Sequence, residues 1–184
     1  MSEYHFNLPI SKDEVKKLRI GDVIYISGDI FTARDAAHEL MLKKPEDFDF
    51  KADEMALYHC GPLMQKKDDK WVVVSAGPTT SIRMELFEDQ FIEKFGIKLI
   101  IGKGFMGEKT KKALQKYTCI YTSYTGGAGA LAADCIKKVK KVIKYEELGM
   151  AEAIWIFKVE KFGPLIVSMD TTGKTLFKKG EKNI

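Results

Sequence analysis

The sequence has no apolar run long enough to cross a bilayer. Its start, "MSEYHFNLPISKDE", lacks the apolar region of a signal peptide. With neither feature, the chain is expected in the cytoplasm and not on a membrane. Cysteine is scarce: Cys60, Cys119 and Cys135, with no C-x-x-C pair. That spacing offers no zinc or iron–sulfur ligand set within this chain, and no metal ligand is assigned to it. An odd number of thiols in a cytoplasmic chain argues against disulfides, so each cysteine is expected to be a small buried apolar residue. Nucleotide fingerprints are also missing, because "GKGFMG" departs from the P-loop pattern and "GGAG" from the dinucleotide one. No basic-plus-aromatic RNA-binding signature occurs. The lysines of "IKKVKKVIKYEEL" and the pair Lys178-Lys179 read as solvated patches on a chain of net charge +4, not as a nucleic-acid surface.

What remains is an ordinary soluble composition, 45% apolar and 30% charged, over 184 residues. This is enough for one domain, with residues 1–7 and 178–184 expected to be loose ends. "GDVIYISGDIF" is predicted as a strand. "TARDAAHELMLK" follows as a helix, with Thr32 as N-cap and Asp35 closing a capping box. The stretch from Lys43 to Trp71 is irregular, with a short element near Ala56-Leu57-Tyr58 and a charged turn over Lys66 to Lys70. "WVVVSAG", "IKLIIGKG" and "TCIYTSY" are further strands. "MELFEDQFIEKFG", "GEKTKKALQKY" and "GALAADCIKKV" are helices. "EAIWIFKVEKFGPLIVSMDTTGKTLF" predicts two strands and a hairpin through Asp170 to Gly173. The alternation specifies an α/β domain with a mixed sheet, a mainly parallel core and a C-terminal antiparallel ribbon.

The strand-to-helix turns share a chemistry. "SGDIFTARDAAH", "SAGPTTSIRM", "IGKGFMGEKT" and "YTSYTGGAGALAAD" each carry glycine, hydroxyls or a cation. In parallel α/β sheets such turns gather at the carboxyl ends of the strands, where helix N-termini favour anions. Arg83 can grip a carboxylate through two parallel bonds, and Lys103 adds a point charge. Taken singly, each turn is also what a tight connection requires. Asp35 and His38, three apart on one helical face, read either as a proton-transfer pair or as a cap carboxylate beside a surface or core histidine. His59 has no partner in sequence and is expected to be structural.

Five segments, "GDVIYISGDIFTARDAAH", "GPTTSIRME", "IIGKGFMGEKT", "TGGAGALAA" and "ELGMAEAIWIFKVEKFGPLIVSMDTTGKTLF", together resemble the β subunit of two-subunit class I fumarate hydratases. The L-tartrate dehydratase β subunits are near relatives. The resemblance runs from about Leu8 to Phe177 in the family's order. It implies a swivelling β/β/α-type domain that works with an α subunit, in a homodimeric or heterotetrameric assembly. The α subunit's three cysteines would hold a [4Fe–4S] cluster that acts as Lewis acid on a small dicarboxylate. Arg83, in G-P-T-T-x-x-R-M, would bind a substrate carboxylate, helped by Thr79, Thr80, Arg34, Lys103, Gly126 and Gly127. Asp35 would transfer a proton or orient, with Thr32 and His38 in support. Some fused members place a catalytic threonine after the Gly-Gly pair and a lysine after "AIW". Here Ala128 and Ile156 stand there, leaving Thr125 as the nearest hydroxyl. The implied reaction is reversible hydration of fumarate to L-malate. Alternatives are an L-tartrate dehydratase β subunit or a non-catalytic anion- or phosphate-binding domain.

Overall fold

A computed structural model describes residues 2–177. Five strands run parallel: β1 (Glu3–Asn7), β2 (Val23–Thr32), β3 (Ala56–Tyr58), β6 (Leu99–Gly102) and β7 (Ile120–Ser123). β8 (Ile136–Ile143) and the long β9 (Ile154–Met169) complete a seven-stranded mixed sheet of order β1-β2-β3-β6-β7-β9-β8. β9 also pairs antiparallel with β2, so the sheet joins back on itself. The expected mixed α/β architecture is present.

Strand alternation divides the apolar residues between two cores. Ile24, Ile26, Tyr58, Leu99, Ile101, Ile120, Trp155 and Phe157 face one cluster. Their neighbours Phe31, Leu57, Ile100, Tyr121 and Ile156 face the other. The second cluster is covered by α2 (Asp35–Lys43), α3 (Glu88–Phe95) and α4 (Glu108–Tyr117), which contribute Met41, Phe91, Ile92 and Leu114. α1 (Lys12–Lys17) and α5 (Gly129–Cys135) give Val15 and Ala132 to the first.

Several expectations are corrected. Residues 3–7 are not loose: they form β1, and His5 stacks on Tyr25 at 4.9 Å between ring centroids. Residues 178–184, with the Lys178-Lys179 pair, lie outside the described residues. β5 (Lys70–Ser75) does not join the parallel sheet. It forms a separate hairpin with β4 (Leu63–Lys67) through Asp68 and Asp69, both at positive φ. The helix predicted over "GALAADCIKKV" ends at Cys135, and "IKKVKKVI" is strand β8. The C-terminal pair of strands is one strand of 16 residues, β9. It bends where Lys161 (φ 49°) and Gly163 (φ 158°) leave the extended region, which lets one strand pair with β8 before the bend, with β7 after it and with β2 on both sides.

β9 ends in the expected turn, held by buried Asp170. Its Oδ1 accepts from the Thr172 hydroxyl (2.6 Å) and the Thr172 and Lys174 N–H groups (2.9 and 3.3 Å), while Oδ2 accepts from Ile20 N–H at 3.2 Å. Removing this carboxylate strands several donors. Asp170→Ala should therefore lower the free energy of unfolding by roughly 2–3 kcal/mol in urea titrations, and Asp170→Asn by less.

Candidate functional site

The site is built by a wedge. After β5, Gly77 to Arg83 runs past the carboxyl ends of the neighbouring strands β3 and β6. Pro78 bridges Cys60 on one side, and Thr80 bridges Lys103 on the other. Thr79 N–H donates to His59 O (2.8 Å), and Ser81 N–H to Lys103 O (3.0 Å). Lys103 N–H returns a bond to Ser81 Oγ at 3.0 Å. The chain then turns through a 3-10 segment, Ser81–Leu86, before α3 begins at Glu88. The continuous helix predicted from Met84 is therefore interrupted, and Arg83 leaves a 3-10 turn.

From that turn Arg83 reaches α2. Its Nε donates to Asp35 Oδ1 (3.2 Å) and its Nη2 to Oδ2 (2.6 Å), a two-point fork half open to solvent. Asp35 does not pair with His38. It is the first residue of α2 and faces the rim, while His38 turns inward and is fully buried. Thr32 is no helix cap either. It ends β2, where its Oγ1 accepts from Trp155 N–H (3.0 Å) and donates to Ala153 O (3.4 Å), anchoring β9. Arg34 lies beside Asp35; its Nε pairs with Glu152 Oε1 at 3.2 Å. The Arg34 guanidinium also packs on Gly61, where a Cβ would lie 2.6 Å from Nη1. Lys103 projects past Gly126, which would meet its Cδ at 3.2 Å. Thr125, Gly126 and Gly127 form an exposed turn after β7, with Gly127 at φ 80°. Thr80 is exposed and Thr79 half-buried. Arg34, Asp35, Thr79, Thr80, Arg83 and Lys103 thus share one rim at the ends of β2, β3 and β6.

Two helix N-termini expected to hold an anion are already taken by the chain's own carboxylates. Glu85 caps α4: it accepts from Gly107, Lys109 and Thr110 N–H (2.7, 3.0 and 3.3 Å) and from the Thr110 hydroxyl (2.6 Å). Glu152 accepts from Ala36 N–H in the first turn of α2 at 3.2 Å. Of the rim cations, Arg34 and Arg83 are thus held by internal acids, and Lys103 by its backbone bonds to the passing loop.

Beneath the rim lies a cluster that local sequence did not announce as one. His38, His59 and Glu88 are fully buried, and their ligand-type atoms lie within 4.8 Å of one another. The available signal was Glu88 itself, an acid spaced among Met84, Phe91 and Ile92 on the inward face of its segment. Burial pushes the His38 imidazole down to about 4, against the pull of Glu88. Burial alone would raise Glu88, but His59 and His38 together hold it below the usual carboxylate value. His38 is thus neutral and Glu88 ionised near pH 7.

The three cysteines do not fit a cluster. Cys60 and Cys119 are buried, with thiols pushed up chiefly by desolvation, and the Cys135 thiol donates toward Lys161 O.

The chain is similar to known proteins along nearly its whole length. The model of the family described as the fumarase C-terminus matches residues 2–180. A Methanocaldococcus jannaschii protein, provisionally named L(+)-tartrate dehydratase subunit beta, is 44% identical over 99% of this chain and 94% of its own. The L(+)-tartrate dehydratase subunit beta of Escherichia coli K12 is 41% identical over 95% of this chain and 86% of its own. A longer Geobacillus stearothermophilus protein, provisionally named fumarate hydratase class I, is 40% identical over 95% of this chain but only 34% of its own.

The cap on α4 gives a direct test. Glu85→Ala removes an acceptor from several amides and should cost roughly 1–2 kcal/mol of stability. By contrast Asp35→Asn, which weakens an exposed pair, should cost under about 1 kcal/mol. Chemical denaturation of the two variants checks the order.

Proposed function

Because this chain belongs to the fumarase C-terminus family, we propose that it is the β subunit of a hydro-lyase acting on a small dicarboxylate, with fumarate and L-malate as the pair. The observation that carries the reading is the rim that unites Arg83, Arg34 and Lys103 at the strand ends, each pinned by a contact of its own. No helix among the described residues is long and apolar enough to cross a membrane, as suits an enzyme of dissolved acids in the cytoplasm.

The chain's own residues divide the work. Arg83 already displays its fork to one carboxylate, that of Asp35, and exchanges it for a substrate carboxylate of the same shape. Asp35 keeps the fork oriented while the site is empty; with both oxygens accepting from Arg83 it serves as orienter before base. Arg34, steadied by Glu152, and Lys103 place positive charge where the second carboxylate gains negative charge as the C3 proton leaves. Thr79 and Thr80 bound the pocket, and Gly126 and Gly127 let substrate approach the backbone. Thr125 offers a hydroxyl from the exposed turn after β7, placed to hydrogen-bond substrate beside the proton-transfer step.

A [4Fe–4S] cluster on a partner α subunit would supply the Lewis acid for the hydroxyl that leaves C2. Exposed apolar side chains support docking of a partner at this rim. Leu86 follows Arg83 by three residues, Phe105 follows Lys103 by two, and Leu131 lies on α5 beyond Gly127, at 70%, 51% and 65% exposure. A second reading, dehydration of L-tartrate, is favoured by the names of the relatives of matching length. Its two hydroxyls suit the threonine-lined rim equally.

The test is a complex reconstituted anaerobically with a cysteine-bearing α subunit and assayed on fumarate, L-malate and L-tartrate. Arg83→Lys keeps the charge and loses the fork. It should lower kcat/KM on the preferred acid by about 10²-fold, or about 2.7 kcal/mol, with little change in Tm. Lys138→Ala, in the basic strand β8, should leave turnover unchanged. Near-normal turnover in Arg83→Lys with loss in Lys138→Ala would move the site to the other side of the sheet.

A further inference from the structure

Four polar atoms in the core are without a hydrogen bond of sound geometry: His38 Nε2, His59 Nε2 and both carboxylate oxygens of Glu88. They come from three separate elements, α2, the residue after β3, and the start of α3, and all three side chains are fully buried. The contacts at the far side of each ring fix the chemistry at the centre. His38 Nδ1 lies 2.8 Å from Arg34 O, and a carbonyl can only accept, so this nitrogen carries the proton and Nε2 presents a lone pair. His59 Nδ1 lies 2.9 Å from Ser81 Oγ. Ser81 Oγ also accepts from Lys103 N–H, which holds the hydroxyl in place beside the His59 ring. Both Nε2 atoms face the Glu88 carboxylate, from 3.6 and 3.0 Å, with no hydrogen bond of sound geometry between them. Three polar groups thus converge in a dry core with their facing atoms left without hydrogen bonds, a costly arrangement unless something else joins them.

We infer that His38, His59 and Glu88 form a mononuclear site for a divalent transition-metal ion of the zinc class. Ring nitrogens that approach an oxygen without aiming an N–H at it have the geometry of ligands sharing an ion, not of an ion pair. Donors placed tetrahedrally at roughly 2.0–2.2 Å from zinc lie about 3.3–3.6 Å apart; the two imidazole-to-carboxylate separations here are 3.6 and 3.0 Å, and all three donors lie within 4.8 Å of one another. Two imidazoles with one carboxylate suit zinc and exclude a magnesium or calcium preference. Both Glu88 oxygens are free, so the carboxylate can hold the ion through one oxygen or chelate it through both, and the three residues supply three ligands. The Nδ1 bonds to a carbonyl and a hydroxyl are the outer shell that metal-bound histidines carry. Full burial makes the site a structural clasp. It ties α2 to α3 under the rim and, through Arg34 O and Ser81, fixes the segments that carry the cations.

This inference stands apart from the hydro-lyase reading, and its test needs no activity. The full chain is unfolded with chelator and refolded with cobalt(II), zinc(II) or magnesium(II), so that a buried site is accessible during loading. The expected result is one cobalt per chain, with visible ligand-field bands and no thiolate charge-transfer band. Zinc at about a hundredfold excess over Kd should raise Tm by roughly 5–10 °C over the magnesium sample. Glu88→Gln should lose both responses; if that variant does not fold, the wild-type comparison decides alone. Equal Tm in zinc and magnesium without cobalt bands, thiolate bands in their place, or undiminished cobalt binding by Glu88→Gln would each overturn the site.

Discussion

The wedge of Gly77 to Arg83 between the ends of β3 and β6 is the constraint on which the rest depends. Parallel strands end in carbonyls and amides that need partners, and here a passing loop supplies them. His59 O takes Thr79 N–H, and Lys103 O takes Ser81 N–H. Those two bonds determine where Arg83 emerges and where the next helix begins. They set Arg83 against Asp35 on one side of the segment and Glu88 against the histidines on the other. One backbone insertion thus fixes a cation at the rim and an acid in the core.

The electrostatics follow from the same economy of space. A rim crowded with arginine and lysine would repel itself and wander in water. Glu152, Asp35 and Glu85 prevent this, the first two by pairing with guanidinium groups and the third by closing the α4 N-terminus. Exposed pairs of this kind contribute little to stability, so a substrate carboxylate can replace one at small cost. Their service is geometric: the fork of Arg83 is oriented before any ligand arrives.

Local pattern carried the strands whose signal is local. β2, β6 and β7 are β-branched or apolar runs closed by glycine or polar residues, and the Asp170 to Gly173 turn is a short-range event. The rim residues Arg34, Asp35, Thr79, Thr80, Arg83 and Lys103 were also legible, because each sits at a strand-to-helix junction or, for Arg83, just after the Gly-Pro turn. β9 was not, since its single bent course depends on which strands it meets after Lys161. β1 was missed because its residues are half-exposed and gain order only by pairing with β2. Thr32 looked like a cap from spacing alone, but its hydroxyl is claimed by β9 from across the sheet. Glu85, Glu88 and Glu152 find their partners through the fold, and charge in a sequence does not say which backbone amide or imidazole it will meet.

The proposed substrate and the proposed partner meet at the same strand-end rim, and hydrogen exchange tests that placement most directly. In the lone chain the exposed backbone at Phe105 and over Thr125 to Gly127 should exchange readily. In an anaerobic complex with the proposed cluster-bearing subunit, those same amides should slow, while β8 and the β4–β5 hairpin remain as they were. Protection that appears on β8 and the hairpin, with the Thr125 to Gly127 turn unchanged, would contradict the account.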